Sequence, residues 1–204
     1  MMKAENFSNV CLKKSYDESK EMPDWQRGLC MENVDLKRLE SKDALLLSEV
    51  ALKAYADHYL HLWHDRGKWY IEKYFSVDRL ETEQKGENAV FFLAYYNNFP
   101  VGFAKLKIHA PLEGEEEKNC MELERIYLSK DAAGKGIGRK LVNLTFAIAK
   151  ENNKDIIWLK AMDSSEGAIS FYKKMGFEIS GTYKLRHTLM KEELRGMVIM
   201  KRKL

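Results

Sequence analysis

The chain has 204 residues, and its 45% hydrophobic and 32% charged side chains are typical of a globular protein and argue against wholesale disorder. The formal net charge is +3, and the basic cluster that stands out is Lys201-Arg202-Lys203, so the composition does not indicate a nucleic-acid partner. The three cysteines form no disulfide or zinc pattern. The N-terminus lacks the apolar core of a signal peptide, and no apolar run reaches the roughly 20 residues that span a membrane. These features predict a cytoplasmic protein without a membrane partner.

Residues 1–30 are polar, without a clear period, and are predicted to form an extension before a single domain of residues 31–204. Within that domain, hydrophobic periodicity and turn residues predict first strand 34–39, a helix capped by Ser41 that runs to about Tyr59, and helix 68–75. Strands 89–96 and 101–108, joined by Asn97-Asn98, follow, and then strand 121–128 and a glycine-rich turn. The remaining predicted elements are a helix with Leu141, Val142, Leu144, Ala147 and Ile148 on its apolar face, strand 156–161, helix 168–175, and strands 177–186 and 196–202. This order predicts one α/β domain with a central mixed sheet flanked by helices.

The stretch Ala133–Lys140 places three glycines between a predicted strand and a predicted helix. Glycine permits positive φ and close backbone approach, and a helix N-terminus attracts anions, so the stretch is suited to a pyrophosphate. A Walker A loop is excluded because no Ser or Thr follows a Gly-Lys pair, and the Gly-x-Gly-x-Gly spacing does not match the dinucleotide fingerprint. A plain tight turn stays open on the glycines alone.

Three motifs together resemble the GCN5-related N-acetyltransferase (GNAT) superfamily: Glu122–Leu128, the turn Gly134–Gly138 and Phe171–Phe177, in this order and at these separations. The likeness is strongest over residues 121–180. The sequences ERIYL and FYKKMGF are most similar to those of PaiA-type bacterial polyamine acetyltransferases. The resemblance implies the GNAT acyl-CoA N-acyltransferase fold. It also implies an enzyme that transfers acetyl from acetyl-CoA, a co-substrate, to a primary amine of a small molecule in a ternary complex, and a polyamine is one such amine. Two other functions stay open, namely a protein or peptide N-acetyltransferase and a non-catalytic acyl-CoA-binding sensor.

The resemblance also implies where the cofactor lies. The strand before the glycine turn is expected to be bulged and to splay from the next parallel strand, so that its free backbone groups face the cofactor. The implied cofactor-binding residues are Ile126, Tyr127, Leu128, Ala133, Gly134, Lys135, Gly136, Ile137, Gly138, Arg139, Ser165, Ala168, Tyr172 and Lys174. Ala133 stands where the family usually has Gln or Arg, and Ser165 where Asn is common, so two side-chain contacts are weaker or missing.

Catalytic roles follow from the same resemblance and from the chemistry of the side chains. Tyr172 matches the tyrosine that the family places near the cofactor sulfur, and a phenol can protonate a leaving thiolate. A tyrosine that only packs its helix against the sheet is the alternative. Glu122 and Glu124 alternate on one strand and therefore share a face, where either could accept a proton from an ammonium or simply be a surface carboxylate. Glu124 is preferred because it is closer to the cofactor stretch.

The acceptor region is expected near the end of the first long helix, with Tyr55, His58 and Tyr59 as substrate-binding residues. The family uses this region for acceptor recognition, and a helix packed through its aromatic side chains is an equal alternative. His58, His61 and His64 recur every third residue, but metal-binding histidines on helices are more often four apart, so no metal site is predicted. The extension and the closing strands could form a homodimer contact.

Overall fold

The computed structural model describes residues 34–204, so the predicted N-terminal extension lies outside the described residues. Within these residues the strands are β1 (Val34–Arg38), β2 (Ala89–Tyr96), β3 (Phe99–Lys107), β4 (Cys120–Leu128), β5 (Ile156–Met162), β6 (Glu178–Lys184) and β7 (Gly196–Lys203). The α-helices are α1 (Ala44–Tyr59), α2 (Lys68–Phe75), α3 (Val77–Lys85), α4 (Ile137–Glu151) and α5 (Glu166–Lys174). None of the helices in this described part has the apolar length to cross a bilayer.

The strands described form one seven-stranded sheet in the order β1-β2-β3-β4-β5-β7-β6. β4 and β5 run parallel, and the other neighbouring pairs are antiparallel. The parallel pair is joined through α4, because parallel neighbours need a crossover connection. The predicted mixed sheet flanked by helices is confirmed.

Helices cover both faces of the sheet, and each face has its own apolar core. Leu141 and Val142 of α4 belong to one core, and Leu47 of α1 belongs to the other. Side chains alternate along a strand, so neighbouring residues of β2 contribute to different cores. Phe92 belongs to the core that contains Leu141, and Phe91 belongs to the core that contains Leu47. The sheet therefore separates α4 and α5 from α1, α2 and α3.

The predicted hairpin between β2 and β3 is confirmed. Tyr96 pairs with Phe99, which leaves Asn97 and Asn98 as a two-residue turn. Their φ angles are 49° and 67°, in the left-handed region that asparagine tolerates better than most residues. Two left-handed residues are what a two-residue turn needs to match the twist of its strands.

Other local predictions were wrong. The sequence pattern missed α3 altogether, because this helix is polar and buries one residue, Leu80. Ser41 does not cap α1: it begins a 3-10 turn before the helix, and the N–H of Glu40 donates to the Asp43 carboxylate at 3.0 Å. On α4 the predicted core residue Ala147 is exposed, and Ala149 is buried in its place.

Candidate active site

A cleft opens in the sheet where β4 and β5 separate. The two strands pair over a short stretch whose last position is Glu122 opposite Trp158. β4 nevertheless continues to Leu128 and β5 to Met162, so their facing edges diverge beyond that point. Unpaired backbone groups on a strand edge can hydrogen-bond a ligand that lies along it. The predicted splay of the two strands is confirmed.

A bulge in β4 lies at the level where the cleft begins. Lys105 of β3 stands opposite Arg125, and the next β3 residue, Leu106, stands opposite Leu123, so Glu124 is the extra residue. An extra residue bends a strand and increases its local twist. The bulge therefore gives β4 a physical reason to turn away from β5, and the predicted bulge is confirmed.

The glycine turn follows β4 and leads into α4. Gly134 and Gly136 have φ angles of 75° and 72°, which glycine adopts without steric cost. No side chain caps the N-terminus of α4. The N–H of Lys140 donates to the Gly136 carbonyl at 3.1 Å, so the N–H groups of residues 137–139 precede the first hydrogen bond within the helix. These groups and the helix dipole suit the turn to a phosphate.

Polar side chains flank the turn and the far wall of the cleft. The Lys135 ammonium lies 4.0 Å from the ring centroid of Tyr96, whereas Arg139 is exposed to solvent. Ser165 precedes α5, and its hydroxyl makes no capping hydrogen bond, which leaves it available to a ligand. Lys174 stands at the other end of α5, about 13 Å further along the helix at a rise of about 1.5 Å per residue. Ser165 therefore lies beside the end of β5, where its N–H donates to the Met162 carbonyl at 3.0 Å, whereas Lys174 lines a cavity beside the middle of α4.

Tyr172 of α5 is buried, with 7% of its surface exposed. Its ring lies 5.2 Å from that of Phe171 and 5.8 Å from that of Phe177, centroid to centroid. Burial raises the pKa of the Tyr172 phenol above its usual value, and the nearby Tyr59 raises it further. The phenol is therefore protonated at neutral pH, which is the state that a proton donor needs.

Tyr59, the last residue of α1, connects the predicted acceptor region to the cleft. Its ring lies 5.3 Å from that of Tyr127 on β4 and 5.1 Å from that of Tyr55. Tyr55 is buried, and its hydroxyl accepts a hydrogen bond from the Trp63 indole at 2.7 Å. His58 is exposed to solvent. Of the predicted substrate-binding residues, Tyr59 reaches the cleft, Tyr55 supports it from within the core, and His58 faces outward.

Glu122 and Glu124 share one face of β4, as predicted, and lysines pair with both. The Lys107 ammonium lies 3.3 Å from the Glu122 carboxylate and 2.9 Å from that of Glu124. The Lys105 ammonium lies 2.5 Å from the Glu124 carboxylate. Burial raises the pKa of Glu124, but Arg125 and Lys105 outweigh burial and bring the pKa to about 2. A carboxylate with so low a pKa is a weak proton acceptor at neutral pH.

The histidines near the end of α1 lie at the surface and not in the cleft. His58 and His61 line a cavity of about 420 Å³ together with Arg66 and Lys191. Across residues 34–204, no three His, Cys, Asp or Glu side chains converge in a way that could hold a metal ion. His58, His61 and His64 are therefore not a preformed metal site.

A model of the acetyltransferase (GNAT) family matches residues 49–177, which is more than half of the chain. The chain belongs to the GNAT family. The matched range contains the bulge, the glycine turn and Tyr172, so the features that form the cleft are those that fall within the family match.

Similar proteins include an uncharacterised N-acetyltransferase of Methanocaldococcus jannaschii, 30% identical over 132 residues, which are 64% of this chain and 54% of that protein. A probable spermine N(1)-acetyltransferase of Bacillus subtilis subsp. natto is 27% identical over 88 residues, 43% of this chain and 58% of that one. The chain thus spans about half the length of these curated relatives. The PaiA N-acetyltransferase of Thermoplasma acidophilum, solved in complex with coenzyme A, has a TM-score of 0.67 at 24% identity and covers 84% of this chain and 99% of its own. That likeness confirms the GNAT fold.

A contact that packs against Tyr59 and against Met162 at the end of β5 has no signal in the sequence. Residues 62–64 and residues 189–191 form a short bridge in which Trp63 stands opposite Met190, with flanking backbone hydrogen bonds of 2.9 Å. His187, in the connection between β6 and β7, lies with its ring 5.4 Å from that of Trp63. The bridge joins the connection between α1 and α2 to the connection between β6 and β7 through backbone hydrogen bonds. Local periodicity could not reveal it, because its two halves are far apart in the chain.

Proposed function

We propose that this GNAT protein is an acetyl-CoA-dependent N-acetyltransferase that acts on a primary amine of a small molecule. The observation that carries the proposal is that the β4 bulge, the divergence of β4 from β5 and the uncapped N-terminus of α4 meet at one cleft. A pantetheine arm contains amides that fit an unpaired strand edge, and a pyrophosphate fits the helix N-terminus. The coenzyme A bound to the Thermoplasma acidophilum relative supports the same ligand here.

The cofactor would be held at three places. The backbone of Ile126–Leu128 lines the diverging edge of β4, residues Ala133–Arg139 enclose the phosphates, and Ser165 and Ala168 lie at the start of α5. An N–H of the β4 stretch would donate to the thioester oxygen, where negative charge develops during acyl transfer. Such a donor acts without reorganisation because the strand backbone is already fixed by its pairing with β3.

The transfer itself needs an amine lone pair and a proton for the leaving group. Bound acetyl-CoA supplies a thioester whose carbonyl carbon accepts the lone pair and whose sulfur departs as a thiolate. Tyr172 would donate its phenolic proton to that thiolate, and the attacking nitrogen would lose one proton to water as the C–N bond forms and the C–S bond breaks. A proton from solvent would restore the phenol before the next turnover. The amine attacks directly in a ternary complex, so no acetyl group is passed to the protein.

The two carboxylates differ in their suitability as proton acceptors. Glu124 has a pKa of about 2 and lies in the short ion pair with Lys105. Glu122 has longer contacts, 3.3 Å to Lys107 and 3.9 Å to Lys160. Glu122 is therefore the stronger candidate of the two to take the amine proton through a water molecule.

The acceptor is proposed at the level of its class, a primary amine that enters past Tyr59. A polyamine is favoured by the name of the probable spermine N(1)-acetyltransferase relative. A protein or peptide N-acetyltransferase and a non-catalytic acyl-CoA sensor are the alternatives. The cytoplasmic location and the homodimer stay predictions from the sequence.

Release of coenzyme A, measured with acetyl-CoA and a panel of polyamines, amino acids, aminoglycosides and peptides, tests the proposal. We expect release that depends on at least one small amine and exceeds the rate without amine. Release with peptides alone would favour the protein or peptide alternative. Tight binding of acetyl-CoA with no amine-dependent release would favour the sensor and contradict the enzyme.

A further inference from the structure

A buried ionic network lies beneath the bulge of β4. The Lys105 ammonium contacts the Glu83 carboxylate at 2.8 Å and the Glu124 carboxylate at 2.5 Å. The Lys105, Glu83 and Glu124 side chains are 6%, 8% and 20% exposed. Arg125 joins the network through Glu83 at 3.1 Å. The network links three elements, with Glu83 on α3, Lys105 on β3 and the remaining charges on β4.

The position of the network matters more than its contribution to stability. Burying ions costs several kcal/mol per ion before their attraction repays it, so buried ion pairs contribute little net stability compared with apolar residues. They can instead specify one arrangement over its neighbours, because a misplaced charge loses its partners. Here the network can specify the register of β4 against β3, since Glu124 is the extra residue of the bulge. A shift of one residue would send alternate side chains of β4 to the opposite face.

The bulge in turn sets the geometry of the cleft. The last paired position of β4 and β5 is Glu122, two residues before Glu124, and the edge proposed to hold the thioester, Ile126–Leu128, begins two residues after it. An ammonium that fixes the Glu124 carboxylate therefore fixes the strand just before this edge. Displacement of reacting groups by about 1 Å can cost about 100-fold in rate.

We propose that Lys105 is a positioning residue that holds the β4 bulge, and hence the thioester-binding edge, by bridging Glu83 and Glu124. This inference rests on the proposed acetyltransferase function. It assigns Glu124 a role in placing the strand, with its negative charge used to bind Lys105. Lys107, Lys105 and Arg125 are the cations that face Glu124, and Tyr70 is a neighbouring hydroxyl.

The test compares Lys105→Met, which removes the charge, with Lys105→Arg, which keeps it. The control is Lys85→Met, which removes an exposed ion pair of 2.6 Å with Glu81 on the same helix as Glu83. We expect Lys105→Met to lower kcat by about 100-fold while the Kd for coenzyme A changes by less than about threefold, because the phosphate site is intact. Lys105→Arg should recover kcat to within about tenfold, and Lys85→Met should leave it unchanged. A Lys105→Met protein with wild-type kcat, or one that Lys105→Arg does not restore, would overturn the inference.

The pH profile distinguishes positioning from proton transfer by Glu124. Removing Lys105 takes away one of the three cations that lower the pKa of Glu124, the others being Arg125 and Lys107, so this pKa rises in Lys105→Met. If Glu124 were the proton acceptor, the acid limb of kcat against pH would move to higher pH and the maximal rate would be retained. A positioning role predicts a lower kcat at every pH. The first result would overturn the inference, and the second supports it.

Amide hydrogen exchange provides a readout that does not require activity. Exchange of the amides of residues 124–128 should be at least about tenfold faster in Lys105→Met than in the wild type and unchanged in Lys85→Met. Unchanged exchange in Lys105→Met contradicts the inference even if the wild type transfers acetyl normally. Should Lys105→Met not fold, Glu124→Gln, which keeps the side-chain size, must show the faster exchange. A wild type that neither binds nor uses acetyl-CoA would instead contradict the proposed function.

Discussion

At the scale of single residues, the chemistry of the cleft depends on which groups hold their protons. Burial keeps Tyr172 protonated well beyond neutral pH, and the cations around Glu124 keep it ionised. A protonated phenol and an ionised carboxylate are fitted to different tasks, the first to donating a proton and the second to holding a cation. The motif around Tyr172 was readable from the sequence. The role of Lys105 was not, because its partners come from α3 and β4.

Tyr172→Phe tests the proton donor. Removing the hydroxyl while keeping the ring should lower kcat by about 100-fold, since general acid catalysis contributes about that much or more. The ring packing against Phe171 and Phe177 is retained, so the Kd for coenzyme A should change by less than about twofold. The matched control is Tyr183→Phe at a tyrosine that is 45% exposed, which should leave kcat unchanged. An unaltered kcat in Tyr172→Phe would show that this residue only packs.

The low pKa of Glu124 predicts how stability depends on pH. In the folded protein this pKa is about 2, against 4.5 in the unfolded chain, so the ionised form contributes stability above pH 4.5. The contribution is on the order of 3 kcal/mol and is lost progressively as the pH falls from about 4.5 towards about 2. Urea unfolding at neutral pH and at steps down to pH 3 measures it.

Glu124→Gln should have a lower free energy of unfolding at pH 7 and a flatter dependence on pH over that window. Glu72→Gln, at a carboxylate 65% exposed, is the matched control and should resemble the wild type. Equal slopes for the wild type and Glu124→Gln would mean that the ion pairs of Glu124 do not stabilise the fold.

At the scale of elements, two local features of β4 and α4 shape the cleft. The bulge re-aims β4, and the glycine turn leaves the first N–H groups of α4 without a side-chain cap. The glycine turn could be predicted because it depends on adjacent residues. Helix α3 could not, since its one buried residue, Leu80, gives no periodic signal, and the helix is held in place by packing against α1. The bridge between residues 62–64 and 189–191 was missed for a related reason, because strand pairing between distant loops leaves no local pattern.

Gly136→Ala tests the phosphate-binding turn. Gly136 has a φ of 72°, where an alanine side chain costs about 1–2 kcal/mol. An added methyl group would also project into the open space beside the uncapped helix end, so coenzyme A should bind about tenfold more weakly. Calorimetry of coenzyme A binding measures the affinity, and urea unfolding measures the stability.

Gly114→Ala is the matched control for this variant. Gly114 has a φ of 81° and equally open surroundings, but it lies in the acidic connection before β4. Both variants should lose similar stability, and only Gly136→Ala should lose affinity for coenzyme A. An equal loss of affinity in both would mean that general destabilisation, and not the turn, accounts for the effect.

At the scale of the whole molecule, the sheet separates the helices proposed to bind the cofactor from the helices proposed to recognise the acceptor. The core on one face carries α4 and α5, which present the glycine turn and Tyr172. The core on the other face carries α1 to α3, which bring Tyr59 and the network of Glu83 to the cleft. The sequence predicted the mixed sheet, the bulge and the glycine turn because these depend on contiguous motifs. It placed the acceptor region near Tyr59 but did not predict the bridge between Trp63 and Met190, whose two loops meet only in the folded chain.

In the proposed mechanism, acetyl passes directly from acetyl-CoA to an amine across this cleft. Initial rates of coenzyme A release, measured while acetyl-CoA and the most active amine of the panel are varied together, test it most directly. We expect double-reciprocal lines that intersect, because both substrates must be bound before transfer. Parallel lines, which indicate an acetylated protein intermediate, or the absence of release with every amine would contradict it.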